Sequence, residues 1–287
     1  LVDHPAFSAS EYELLRSQFH WRLDRLADYC DRIGTIPILI EPASNDAGYP
    51  PNRSFLAPDA TEKEREAFEA AFRKATELES LDPAGALAAF EELSRTHPEF
   101  AETHYRRGKL LRALGKLDEA RREFVEARDR DGMPMRCPTD FRSAYRRVSA
   151  RHSRAVFVDA PEILESATPD GLLDGRLFHD GQHPNLRSYT LIANGVLKEL
   201  ANKRAFGWPP NRPAPSATPG EVAEHFGMDS EKWLQVAERS AVFYERTGYL
   251  RHDSSEAVEW IRRYRAASKR IAAGEKPEVV DIGDLGL

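Results

Sequence analysis

Apolar residues recur at helical spacing from Leu15 through Phe19, Leu23, Leu26 and Cys30 to Ile33. The Ser10 and Glu13 pair ahead of them has the form of a capping box. Gly34 stands where a helix C-terminus favours a left-handed residue. The short apolar run Ile36 to Ile40 then predicts a strand buried on both faces. Helix, glycine, buried strand is the rhythm of an α/β protein with a parallel sheet. A chain that opens on the helix of this rhythm is expected to have its earlier strands upstream of Leu1. The Pro/Asn/Gly-rich loop Glu41 to Pro58 follows the strand's carboxyl end, where α/β enzymes place ligand contacts. A plain surface connection is the equal alternative.

From Thr61 to Asp131 the pattern is helical throughout, with an internal repeat. Gly108, Leu111, Ala120, Phe124 and Ala127 alternate small and large residues as paired helices require. Ala86, Phe90 and Pro98 stand about 34 residues earlier in the equivalent places. These positions resemble two tetratricopeptide units, the first degenerate, because Arg73, Lys74 and Glu77 sit in its leading helix where small or apolar residues are usual. Two units are fewer than a free-standing solenoid needs, so they are expected to lean on a neighbour.

The α/β rhythm resumes with a helix capped by Thr139 and carrying Phe141, Ala144, Tyr145 and Val148. The strand Ala155 to Asp159 comes next, then a Gly/Asp-rich loop and a helix with Tyr189, Ile192, Ala193, Val196, Leu197 and Leu200 on one face. Five segments result. Residues 1–58 and 135–205 are expected to form the two parts of an α/β domain with a parallel sheet. Residues 59–134 are an all-α insertion, 206–220 a Pro-rich linker, and 221–287 a C-terminal helical segment. That last segment holds two amphipathic helices, about Ser230 to Arg246 and Glu256 to Ala273, forming a separate hairpin or packing back on the main domain.

Charge and cysteine content change the picture mainly by exclusion. The 41 basic and 47 acidic residues leave a net charge of −6 with no basic stripe, which argues against nucleic acid as a partner. No apolar run is long enough for a transmembrane segment. Two cysteines, Cys30 and Cys137, show no metal-ligand spacing and are too few for a disulfide framework. The compartment is therefore open, and an anchor or signal upstream of Leu1 would place the chain outside the cytoplasm.

The chemistry concentrates in Leu177 to Leu186, which reads Leu-Phe-His-Asp-Gly-Gln-His-Pro-Asn-Leu. Asp180 and His183, three apart on a tight loop, can face each other. The carboxylate then fixes the imidazole tautomer and leaves the second ring nitrogen as a base. An isolated Asp-x-x-His is more often a local hydrogen bond. Here Gly181, Pro184, Asn185, Tyr189 and the Ile192-Ala193 helix surround it, and Val158-Asp159 ends the preceding strand. Together these closely resemble the last motif of the SGNH/GDSL hydrolases. The resemblance covers about residues 10–58 and 135–204.

That resemblance implies an esterase or O-acyltransferase with a partial flavodoxin-like parallel sheet, in which Asp180 orients His183, the general base. It implies an ester or O-acylated saccharide as substrate and no cofactor. The run Asp129, Asp131, Pro134, Arg136 and the helical insertion further suggest a bacterial subgroup interrupted by tetratricopeptide repeats. The family's nucleophile block, Gly-Asp-Ser after the first strand, is expected upstream of residue 1. Gly227-Met228-Asp229-Ser230 mimics it but opens a helix, where Asp229 or Ser230 serves better as an N-cap. Asn45, in Ala-Ser-Asn-Asp, resembles the family's oxyanion asparagine but follows the wrong strand, leaving it a substrate-loop candidate. Arg136 is either an anion-binding group near the domain entrance or a solvated arginine. His179 and His183 are four apart but sit on a loop with no third ligand, so no metal is expected. The alternative to the enzyme is a binding module whose repeats present a concave surface to a partner peptide.

Overall fold

A computed structural model describes residues 4–277; the expected fraying of the last ten residues lies outside the described residues. The chain is mostly helical around a two-stranded parallel sheet, an arrangement consistent with the α/β class. Helix α1 (Ala9–Ile33) leads into β1 (Ile38–Glu41). The cap of α1 is Ser8 with Glu11, two residues ahead of the expected pair, because Ser8 has the extended backbone a cap needs while Ser10 is already helical. Gly34 ends the helix at φ 75°, as its position predicts.

Between β1 and its partner come α2 (Glu62–Leu78), α3 (Pro83–Thr96), α4 (Ala101–Ala113), α5 (Leu117–Asp129) and α6 (Thr139–Arg151). Thr139 is the first residue of α6 and Pro138 its cap position, so the expected Thr139 cap is displaced by one residue. Strand β2 (Val156–Asp159) then pairs parallel to β1, Ile38 opposite Val156 and Glu41 opposite Asp159. A short α7 (Ala160–Glu165), the long α8 (Leu186–Asn202), α9 (Pro219–His225), α10 (Ser230–Thr247) and α11 (Ser255–Ala272) complete the chain. The short α9 begins where the Pro-rich linker was expected to end, its box formed by Thr218 and Glu221.

The sheet is covered unequally. Leu39 meets Ala27 of α1 and Val148 of α6, while Val156 and Val158 meet Leu200 of α8 on the other face. Ile38 and Ile40 share that second face but remain 38% and 37% exposed. The expectation of a strand buried on both faces therefore fails for β1, since α8 covers β2 and, among the described residues, no strand pairs with the other edge of β1. The face of α1 is split in the same way. Phe19 packs on Phe141 and Tyr145, whereas Leu15, Leu26 and Ile33 stay in solvent with Trp21 and Tyr29.

Helices α2 to α5 form two successive antiparallel hairpins. Gly108 lets α4 approach α5, since a Cβ there would lie 2.7 Å from the Phe124 ring. The α4 face carrying Tyr105, Arg106 and Lys109 is occupied by the chain itself. Arg106 pairs with Asp253 at 2.6 Å, and Lys109 and Tyr105 both bond Glu256 at 2.7 Å. His252 sits against Phe72 and Phe100. The C-terminal helices thus pack back rather than forming a separate hairpin, and Asp229 caps α10 through the Lys232 amide.

Helices α1 and α6 are also joined by a titratable contact. His152 Nδ1 lies 2.7 Å from Asp31 and Nε2 lies 3.4 Å from Asp24. The Asp31 hydrogen bond, acting against burial and aided by Asp24, raises the imidazole above its ordinary value. The imidazolium is favoured by folding, so its contribution is complete below about pH 6.5 and is lost as pH rises through the raised folded value. The thermal midpoint should therefore fall more between pH 6 and 8.5 in the wild-type chain than in His152→Asn. A midpoint that rises over that interval through His152 would contradict the assignment.

Candidate active site

The loop bearing Asp180 and His183 is closed by main-chain bonds before any side chain acts. Phe178 and Pro184 form an antiparallel bridge, His179 N–H donates to the His183 carbonyl at 3.0 Å, and Asn185 N–H donates to the Leu177 carbonyl at 2.9 Å. Asn185 then caps α8 through the Ser188 amide and donates to the Arg176 carbonyl. Pro184 therefore lies in the bridge, ahead of the helix, and Leu186 opens α8.

Within this loop the Asp180 carboxylate serves two purposes. Oδ1 accepts the amides of Gln182 and His183, both at 2.8 Å, closing a turn characteristic of Asx residues. Oδ2 lies 2.7 Å from His183 Nδ1. Asp180 is 7% exposed, whereas the His183 side chain is 59% exposed. A carboxylate holding Nδ1–H leaves Nε2 of the neutral ring as a free acceptor facing solvent. Among the described residues no hydroxyl or thiol bonds that nitrogen.

The remaining sequence candidates support this loop from beneath. Asn45 is 0% exposed; its amide donates to the Asp180 carbonyl at 3.0 Å, and its backbone N–H donates to the Gly181 carbonyl at 3.0 Å. Its side-chain oxygen accepts the Gly48 amide, and a Cβ on Gly48 would lie 2.6 Å from that oxygen. A side chain so enclosed positions the loop and does not meet a substrate. Arg136 is 1% exposed and is likewise neither solvated nor at an entrance. Its Nη1 donates to the Tyr49 carbonyl at 2.7 Å and to Asn45 at 3.3 Å, and it faces the Tyr49 ring. Asp131 accepts the amides of Asn52, Arg53 and Met133. The Asp129–Arg136 run thus fastens the end of the helical insertion to the loop after β1.

Two contributors were not visible in the sequence. Tyr264 of α11 donates its hydroxyl to the His179 carbonyl at 2.9 Å, and burial keeps that phenol protonated by pushing its titration upward. Arg251 lies over Tyr49 at 4.3 Å and Tyr244 at 5.4 Å, a cation held against two aromatic faces. Burial lowers the titration of the neighbouring His179 imidazole, so near neutral pH it adds no positive charge to the loop. An amphipathic helix gives no signal of which distant carbonyl its tyrosine will reach; Asn185, standing directly before a helix, did carry a legible cap signal.

No family model, curated protein or solved structure matches this chain. Among the described residues no helix is long and apolar enough to cross a membrane, and no group of three or more His, Cys, Asp or Glu is placed to hold a metal ion.

The geometry separates residues that hold the loop from the one it presents. Asn45→Ala leaves the buried Asp180 carbonyl without its partner and should cost about 2 kcal/mol or more. His183→Ala, at an exposed ring, should change stability by no more than about 0.5 kcal/mol. Urea denaturation of the two variants measures both. A His183→Ala loss as large as that of Asn45→Ala would make the histidine a structural residue.

Proposed function

We propose that this chain supplies the acid–base half of a serine ester hydrolase or O-acyltransferase of SGNH type, with two tetratricopeptide-like hairpins inserted between its strands. The observation that carries the reading is the Asp180–His183 pair. A buried carboxylate, committed to two loop amides, also holds Nδ1 of an exposed ring, while Nε2 has no partner among the described residues. This is the arrangement a triad base needs, one nitrogen fixed by the acid and the other left to meet a hydroxyl.

In this reading a serine on a complementary α/β segment stands at Nε2. His183 takes the hydroxyl proton as the serine oxygen attacks the ester carbonyl, and Asp180 stabilises the imidazolium. The proton passes to the departing alcohol. Water or an acceptor hydroxyl then attacks the acyl-serine, giving its proton to His183, which returns it to the serine oxygen as the acyl–oxygen bond breaks. The unpaired edge of β1 and the exposed Ile38 and Ile40 support a further parallel strand there. A helix leading into a parallel strand ordinarily lies over that strand and the one it came from. The substrate class is a small ester or an O-acylated saccharide. The competing binding-module reading needs the α4 face open, and that face already holds Asp253 and Glu256.

Residues 1–287 alone should neither hydrolyse p-nitrophenyl acetate nor react with a fluorophosphonate. The same residues joined to a Gly-Asp-Ser-bearing α/β segment should do both. His183→Ala should then lower turnover by about 10²–10⁴-fold. Turnover by residues 1–287 alone, abolished by His183→Ala, would refute the proposal that the nucleophile lies on another segment.

A further inference from the structure

A cavity of about 570 Å³ opens where the carboxyl ends of the strands meet the helical insertion. Its size lies within the range of small-molecule sites, and ligands of open α/β sheets bind at this end of the strands. Glu41, the last residue of β1, forms part of its floor, and α5, α6 and the loop around Leu172 form its walls. Asp46 and Ala47 line it as well, directly after the Asn45 that pins the Asp180 loop. The cavity and the acid–base pair therefore share one connecting segment.

The lining carries five guanidiniums, those of Arg121, Arg128, Arg142, Arg146 and Arg147, against three carboxylates, Glu41, Asp46 and Glu165. Asp46 is shared: Arg128 holds it at 2.6 Å and Arg142 approaches to 3.7 Å. Burial opposes its charge, but Arg128, Arg142 and Arg136 together keep it ionised. Arg146 bridges Glu41 and Asp159. What remains uncommitted decides the ligand. The Arg147 side chain makes no hydrogen bond or ion pair among the described residues, and Arg121, whose Nη atoms hold Asp118 and the Gly171 carbonyl, keeps a buried Nε without an acceptor. The Glu165 carboxylate also has no hydrogen-bond partner among the described residues, and burial raises its titration. Phe124 and Leu172 give an apolar wall beside these groups.

Spare guanidinium donors call for an anion. Two wall carboxylates, Glu41 and Glu165, would repel a phosphate dianion yet can accept hydroxyl hydrogens from a singly charged ligand. The apolar wall suits the C–H face of a ring. We infer that this cavity binds a sugar acid, its carboxylate on Arg147 and Arg121, its hydroxyls on Glu165 and Glu41, and its ring against Phe124 and Leu172. This deepens the proposed function, on which its saccharide component rests, by making the acyl-bearing or acyl-accepting saccharide an acidic one.

Binding needs neither the serine nor His183, so it can be tested apart from hydrolysis. Titration of residues 1–287 with D-glucuronate, D-glucose and inorganic phosphate, followed by ¹H–¹⁵N NMR, should show saturable shifts around Arg147 and Leu172 for glucuronate. Glucose should bind at least about tenfold more weakly. Arg147→Gln, at an exposed position, should weaken glucuronate by about tenfold, as expected for one charge-assisted hydrogen bond. His183→Ala should leave binding unchanged. Equal binding of glucose, tighter binding of phosphate, absence of glucuronate binding, or indifference to Arg147→Gln would each overturn the inference. Glucuronate binding in a chain whose serine-completed form fails to hydrolyse esters would keep the cavity assignment and remove the hydrolase reading alone.

Discussion

The carboxamide of Asn45 joins two loops that lie 135 positions apart in the chain. One follows β1 and the other precedes α8, and no sheet hydrogen bond connects them. With its backbone N–H on Gly181 and its side chain on Asp180, Asn45 fixes the Asp180 turn to the end of the sheet. Being fully buried, its donors have no water to fall back on, so they hold only when both loops are in place. The orientation of His183 descends from this pin: Asn45 sets the Asp180 backbone, the Asp180 carboxylate sets the ring, and the ring leaves Nε2 outward.

The parts of the chain beyond the sheet converge on the same two loops. Arg136 and Asp131, at the end of the helical insertion, gather the carbonyls and amides of residues 45–53. From the C-terminal side, Tyr264 holds the His179 carbonyl, and Arg251 lies on Tyr49 within the aromatic cluster of α10 and α11. The insertion and the C-terminal pair also hold each other, through Arg106 with Asp253 and Lys109 with Glu256. The loops at the end of this small sheet are thus braced by both helical appendages.

Features set by local chemistry were legible in the sequence. The Gly34 stop, the antiparallel helices packed through Gly108 and Phe124, the Asp229 cap and the facing of Asp180 with His183 each depend on residues a few positions apart or on one helix pair. What escaped depended on who covers whom. The apolar run at Ile38 to Ile40 predicts burial, yet periodicity cannot say that no neighbour lies along one edge. Asn45 and Arg136 read in the sequence as substrate-loop candidates, because polar residues on a loop read as ligand contacts. Their burial, and so their role as supports, follows only from tertiary packing. Tyr264 was wholly invisible, since its partner is a carbonyl 85 positions away.

The central claim is that Asp180 holds His183 as a base with Nε2 free. The ¹⁵N chemical shifts of the neutral His183 imidazole test it most directly. The account predicts a protonated Nδ1 and a pyridine-like Nε2, with that preference lost in Asp180→Asn. A neutral ring carrying its proton on Nε2 in the wild-type chain would contradict it.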